Sequence, residues 1–168
     1  MAGRERVPRG ARGLKIVVLA VGKAAGPERE LCERYLGRAG PLARQMGITD
    51  VSVRQLADAS GPTRSDIEGA AILDKRPPGK LIALDERGEA WTSEKLARTL
   101  REWADQGTPA VTFAIGGADG HPKAVREAAD KVVSLSAMTL PHLLARALVL
   151  EQIYRAITLC VGHPYHRA

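Results

Sequence analysis

The 168-residue chain contains only two cysteines, and it has no long apolar segment. Cys32 and Cys160 do not form a C-x-x-C pattern, so a disulfide framework is not indicated, and we expect two buried thiols in a reducing cytosol. No apolar run approaches the roughly 20 residues that span a bilayer. The first residues lack the apolar core of a signal peptide. These absences argue against a secreted or membrane-spanning protein and predict a cytoplasmic one.

The net charge of +6 is concentrated at the amino terminus. Residues 1–13 contain four arginines and one glutamate and carry half of the excess. Charge alone is therefore a weak argument for nucleic-acid binding by the rest of the chain. We expect residues 1–13 to be a disordered basic leader, and the alternative is an arm that contacts phosphates.

From residue 14 onward, short apolar runs alternate with longer amphipathic stretches, a pattern typical of a parallel sheet with crossover helices. The chain length suits one domain, which we place at 14–168. The sequence thus predicts a single-domain α/β fold. Its strand candidates are Leu14–Val21, Thr49–Gln55, Lys80–Asp85, Ala110–Ile115 and Val132–Ala137.

Helical periodicity fills the intervals between these strands. A helix over Pro27–Met46 is predicted to be interrupted at Gly37–Pro41, where two glycines and a proline disfavour helix. Cleaner helices are predicted over Ser65–Asp74 and over Ser93–Gln106, the latter capped by Thr92 or Ser93. The last helix carries an ion pair between Glu151 and Arg155. Its apolar stripe consists of Leu143, Ala147, Leu150, Tyr154 and Ile157.

A glycine-rich turn, Ala114–Pro122, follows the fourth strand and precedes a helix. Glycines in such a turn let the backbone approach a ligand closely, and the carboxyl edge of an open α/β sheet is where small molecules bind. The turn is not G-x-G-x-x-G and lacks the lysine of a P-loop, so a dinucleotide or nucleoside triphosphate is poorly supported. The alternative is a tight turn that only needs positive φ angles.

Two later segments contain groups that can act on a ligand. Ser134–His142 leads from the fifth strand into the last helix and can close on a ligand that the glycine turn holds. The terminal segment Gly162–Ala168 contains two imidazoles, a phenol and a guanidinium, which suit phosphate contact, base stacking and proton transfer. The alternative is a frayed end. A zinc site is poorly supported, since neither cysteine is placed to complete a tetrahedral set with His163 and His166.

Four motifs in this order and at these separations resemble one family. They are Ile115-Gly-Gly, Leu135-Ser-Ala-Met-Thr-Leu-Pro-His142, Glu151-Gln-Ile-Tyr-Arg-Ala156 and His163-Pro-Tyr-His-Arg167. The chain is similar to the ribosomal RNA large-subunit methyltransferase H family of the SPOUT class. The resemblance implies a carboxyl-terminal deep trefoil knot, a homodimer and S-adenosylmethionine as methyl donor. It also implies methyl transfer to N3 of a pseudouridine in large-subunit ribosomal RNA of the assembled ribosome.

The resemblance also assigns residues. The cofactor positions correspond to Leu84, Gly116, Gly117 and the run Leu135, Ser136, Ala137, Met138, Thr139 and Leu140. We hypothesise a target-base pocket shaped by His142, Tyr165 and His166, with Arg155 and Arg167 holding RNA phosphate or the cofactor carboxylate and His163 contacting RNA.

The resemblance leaves open which group acts as a base and whether the terminal segment serves its own chain or a partner's site. The family's turn usually reads Gly-Gly-Pro-Glu-Gly, whereas this one reads Gly116-Gly-Ala-Asp-Gly120. The family usually has asparagine at the position of Gly162. The fine shape of the turn is therefore open as well.

Two other functions fit parts of the sequence. One is a non-catalytic, ribosome-associated RNA-binding protein that keeps the knotted fold, and it differs from the enzyme in not turning over S-adenosylmethionine. The other is an α/β enzyme that acts on another small nucleotide, for which the glycine turn is the support.

Overall fold

A computed structural model describes residues 13–167, so residues 1–12 of the expected leader lie outside the described residues. The strands are β1 (Leu14–Val21), β2 (Ile48–Leu56), β3 (Lys80–Ala90), β4 (Ala110–Ile115) and β5 (Lys131–Ser134). The α-helices are α1 (Gly26–Ala43), α2 (Arg64–Lys75), α3 (Ser93–Asp105), α4 (Lys123–Ala128) and α5 (His142–Val161). Short 3-10 helices follow α1 at Arg44–Met46 and α5 at Pro164–Arg167.

The five strands form one parallel sheet in the order β2-β1-β4-β3-β5. Side chains of β1 alternate between two apolar cores, as strand geometry requires. Ile16 and Val18 join the core that contains residues of α1, α3 and α5, whereas Val17 and Leu19 join the smaller core that contains Ile72 of α2. The prediction of an α/β fold with both faces of the sheet covered is confirmed.

Helix α1 runs without a break through Gly37 and Gly40 and contains Pro41 in its last turn, so the predicted interruption is wrong. A proline this close to the helix end removes one backbone hydrogen bond near the point where the helix would stop anyway. Buried Cys32, Ala39 and Ala43 attach the helix to the larger core. Tertiary packing therefore outweighs the low helix propensity of this segment.

Two strand ends differ from the prediction by three or more residues, and both ends of β2 and the start of β5 differ by one. Strand β3 continues past Asp85 to Ala90, because its ladder with β5 resumes after an irregularity between Leu84 and Glu89. Strand β5 ends at Ser134 rather than Ala137. The local patterns did not reveal the irregularity, since it depends on pairing between strands that are distant in sequence.

Several local predictions are confirmed. The Thr92 hydroxyl accepts a hydrogen bond from the Lys95 amide (3.1 Å) and caps α3, and Glu151 and Arg155 form an ion pair (2.7 Å) on α5. Cys32 is buried, whereas Cys160 is only partly buried. Within residues 13–167, no helix has both the length and the apolar character needed to cross a bilayer.

Arg146 of α5 holds this helix against the end of β1. Its side chain is 1% exposed, and Nη2 donates to the carbonyl oxygens of Val21 (3.3 Å) and Gly22 (2.9 Å). Burial lowers the pKa of the Arg146 guanidinium, because the charged form loses its hydration. The guanidinium supplies donors to two carbonyls at a strand end, where buried backbone acceptors need partners.

We expect Arg146→Ala to lower the free energy of unfolding by roughly 2–4 kcal/mol, because two buried carbonyls lose their donor and a cavity opens. Arg146→Met, which fills most of the volume, should lose less. Urea unfolding at one protein concentration measures both, with Arg98→Ala on the exposed surface of α3 as a control expected within about 0.5 kcal/mol of the parent. An Arg146→Ala protein as stable as the control would contradict the role of this arginine.

Candidate active site

The segments that follow β4 and β5 and the irregular segment of β3 meet at the carboxyl edge of the sheet. They enclose a cleft of about 510 Å³, a size typical of cofactor sites. Leu84, Asp85, Glu86 and Arg87 line it from β3, and residues 115–120 line it from the glycine turn. The remaining wall comes from the segment that leads into α5 and consists of Ser134, Leu135, Ser136, Met138, Thr139, Leu140, His142 and Ala145.

The glycine turn folds tightly on itself. The Gly120 amide donates to the Gly117 carbonyl (3.0 Å), and Gly120 has a φ of +70°. A Cβ on Gly116 would lie 2.9 Å from the carbonyl carbon of Gly120. Since no side chain fits between these two backbone segments, Gly116 has to be glycine for the turn to close.

Helix α2 supports this turn from below. The Ser65 hydroxyl donates to the Gly120 carbonyl (3.3 Å), and Arg64 lies 3.8 Å from the Asp119 carboxylate. On the other side, Nε2 of buried His121 lies 3.0 Å from the Ala114 carbonyl. Burial lowers the pKa of His121, so this imidazole is neutral at physiological pH. The turn is therefore held at both ends by side chains that do not line the cleft.

Asp85 and Arg87 form a charged pair in the irregular segment of β3. Arg87 Nε and Nη2 contact Asp85 Oδ1 and Oδ2 at 2.9 and 3.0 Å, a bidentate geometry. This hydrogen bonding lowers the pKa of the Asp85 carboxyl. Asp85 and Arg87 therefore line one edge of the cleft as an ionised carboxylate paired with a guanidinium.

Most of the predicted cofactor residues lie together. The exception is Ala137, which is exposed and does not line the cleft. The lining residues among those predicted are Leu84, Gly116, Gly117, Leu135, Ser136, Met138, Thr139 and Leu140. His142, at the first position of α5, joins them.

The other predicted catalytic and RNA-binding residues do not line the cleft within this chain. The Tyr165 hydroxyl donates to Glu151 (3.0 Å), and the Arg155 guanidinium lies 5.1 Å from the Tyr165 ring centre. Burial, together with the neighbouring Tyr35 and Glu151, raises the pKa of the Tyr165 phenol. His163, His166 and Arg167 belong to the same terminal segment. Within one chain, the predicted site residues therefore fall into two groups, one towards each end of α5.

Sequence reasoning missed Glu86 and Arg87, which line the cleft from β3. It also missed Arg64 and Ser65, which contact the glycine turn. Asp85 could have been found, because it follows the apolar run of β3 directly. The contacts that α2 makes with the turn could not have been found from the sequence, since they depend on how a distant helix packs under the turn. No group of three metal-ligating side chains occurs among residues 13–167.

Residues 14–166 match the family described as "Predicted SPOUT methyltransferase". The chain belongs to the SPOUT methyltransferase family. The match covers every strand and α-helix described above.

Individual relatives agree with this SPOUT assignment. A protein of Methylobacterium nodulans named "Ribosomal RNA large subunit methyltransferase H" is 47% identical over 159 residues, which cover 92% of this chain and 98% of the relative. A protein of the same name from Rhodopseudomonas palustris is 43% identical over 160 residues, with 92% and 100% coverage. A crystal structure of a probable methyltransferase from Bordetella pertussis has a TM-score of 0.50 at 14% identity, with 88% and 95% coverage, and shares the fold.

The Asp85–Arg87 pair should contribute to stability in a pH-dependent way. Because the folded-state pKa of Asp85 is lowered, its contribution is present above the ordinary carboxyl range near about pH 4 and is lost as pH falls through the folded pKa. We expect Asp85→Asn to be less stable than the parent at pH 7, with the difference shrinking as the solution is acidified. Urea unfolding between neutral and acidic pH measures it, with exposed Asp50→Asn as control. A difference independent of pH would contradict this.

Proposed function

We propose that this protein transfers the methyl group of S-adenosylmethionine to N3 of a pseudouridine in large-subunit ribosomal RNA of the assembled ribosome. The observation that carries the proposal is the cleft, which places Leu84, Gly116, Gly117 and most of Leu135–Leu140 at one sheet edge of a SPOUT methyltransferase. The names of the relatives support the ribosomal RNA target. Ribosomes as substrate place the activity in the cytoplasm.

The cleft fits the proposed cofactor. Its volume suits a molecule of that size, and Gly116 and Gly117 let the cofactor approach the backbone of the turn closely. When bound, S-adenosylmethionine would supply an activated methyl group for transfer to the ring nitrogen. The protein's own task is then alignment, which can supply up to roughly 7–11 kcal/mol of the barrier.

Methylation also releases the proton of N3. The raised pKa of Tyr165 keeps its phenol protonated at neutral pH, so we assign it as a hydrogen-bond donor that positions Glu151 rather than as the base. His142 lies on the cleft wall, where an imidazole can accept the proton directly or through water. His166 is the second candidate base, and Arg155 and Arg167 would hold phosphate or the cofactor carboxylate, with His163 on the RNA.

A homodimer would bring the two groups of predicted residues together. His142 and Arg155 are separated by about 20 Å along α5, given its rise per residue. One chain therefore cannot place both groups around one base, whereas a partner's terminal segment can reach the cleft. Leu144 and Leu148 are exposed apolar residues on α5 and would be covered in such a dimer.

We also assign 14–168 to the methyltransferase domain and place its carboxyl-terminal part in a deep trefoil knot. Two features support this threading. Strand β5 lies at the sheet edge beside β3, and α5 then returns to the end of β1. The family resemblance supports the knot as one of the rare exceptions to unknotted connections.

Calorimetric titration with S-adenosylmethionine should give binding in the micromolar range. Gly116→Val should weaken it at least about tenfold, because the new side chain collides with the Gly120 backbone and distorts the turn. Gly37→Ala is the matched control, since a Cβ there meets nothing within 4 Å, and it should bind like the parent. A folded parent that binds no cofactor would overturn the proposed function and favour the non-catalytic alternative.

Complementation between two impaired variants, assayed by methyl transfer to ribosomes, tests whether two chains share one site. At a cofactor concentration near the parent's Kd, a Tyr165→Ala/His166→Ala chain and a Gly116→Val chain should each have little activity alone. Purified by two different tags, their heterodimer contains one complete site and should show about half of the parent's methyl transfer. A heterodimer of two differently tagged parent chains is the reference for full activity. An inactive heterodimer that still binds cofactor would show that each terminal segment serves its own chain.

A further inference from the structure

Glu68 of α2 is a buried carboxylate directly beneath the glycine turn. Its side chain is 2% exposed, and a Cβ built on Gly117 would lie 2.6 Å from Glu68 Oε2. Oε2 has no hydrogen-bond partner among the described residues. The carboxylate therefore fills the space that any side chain at Gly117 would need.

The second carboxylate oxygen contacts another part of the site. Oε1 accepts a hydrogen bond from the Ala59 amide (3.0 Å) and lies 3.6 Å from Arg64 Nε. Ala59 follows Asp58 in the loop between β2 and α2. A Cβ on Gly22 would lie 3.0 Å from Asp58 Oδ1 and 3.6 Å from His142 Nε2, so this loop borders the His142 end of the cleft. Glu68 thus joins the floor of the turn to the loop beside His142.

A carboxylate in this place is costly for the fold alone. A buried acceptor without a partner destabilises the fold, and an apolar side chain of similar volume would avoid this cost. Unsatisfied buried groups and stored strain concentrate at functional sites. The combination of burial, one unpartnered oxygen and contact with a cleft-lining glycine points to a role in shaping the turn.

We propose that Glu68 is a positioning residue that acts through Gly117, setting the backbone of the turn on which the cofactor lies. This inference rests on the proposed function and names a residue outside the cleft for the same site. Its action depends on where the side chain ends rather than on its charge, because Oε2 lies where a Gly117 side chain would be and forms no hydrogen bond with the turn. The length of the side chain should therefore matter more than its ionisation.

Two substitutions separate length from charge. Glu68→Asp keeps the charge but shortens the side chain by one methylene, and it should raise the KM for S-adenosylmethionine at least about tenfold while kcat at saturating cofactor changes less than about threefold. Glu68→Gln keeps the length and removes the charge, and both constants should stay within about threefold of the parent. Asp66→Ala, exposed on the same turn of α2, is the control for changes to this helix.

Gly117→Ala provides an independent test, because its methyl group should push the Glu68 carboxylate away. It should imitate Glu68→Asp, and the double variant should be no worse than either single one, which is the non-additivity expected of residues in contact. Calorimetry measures the cofactor affinity of the parent, the two single variants and the double variant, and it needs no RNA substrate.

Three outcomes would overturn the inference. They are a Glu68→Asp protein with the parent's KM, a loss of kcat without a change in KM, and additive effects of the two single changes. A parent protein that fails to bind S-adenosylmethionine would instead overturn the proposed function, so the two failures are distinguishable.

Discussion

Arg146 is a buried charged residue that joins the last helix of the molecule to the end of β1. Its Nη2 donates to the carbonyls of Val21 and Gly22, whereas Nε and Nη1 have no hydrogen-bond partner among the described residues. This contact joins residues more than 120 positions apart in the chain. Since His142 precedes Arg146 by one helical turn, the same contact sets the position of His142 at the sheet edge and of the segment that leads into α5.

The parallel sheet supplies the rest of the site. Because all five strands run in one direction, the turn after β4 and the segment after β5 meet the irregular part of β3 at one edge. The close approach of Gly116 and Gly120 gives this surface a backbone part, while Asp85, Leu135 and Met138 also line it. Contacts of Ser65 and His121 hold the turn from two sides.

The sequence predicted those features that are encoded locally. Apolar runs predicted β1 and β4 at their observed bounds, and the Thr92 cap and the Glu151–Arg155 pair follow from short-range spacing. Features that depend on distant partners were not predictable. Helix α1 continues through Gly37 to Pro41 because buried residues on its other face attach it to the core, and Glu68 has no local signal that places it under Gly117.

Alignment of the methyl donor and contact with RNA make different demands on a protein, and we propose that they use different parts of this chain. Alignment needs a rigid surface, which the turn between β4 and α4 provides through contacts with α2. Contact with RNA needs side chains that meet a large substrate, and the residues proposed for it, His163, His166 and Arg167, lie on the terminal segment beyond α5. In the dimer proposed above, a cleft in one chain and a terminal segment from a second chain would complete the site on the ribosome. Recognition would then rest on the shape of the substrate more than on charge, because half of the chain's excess positive charge is contained in its first 13 residues.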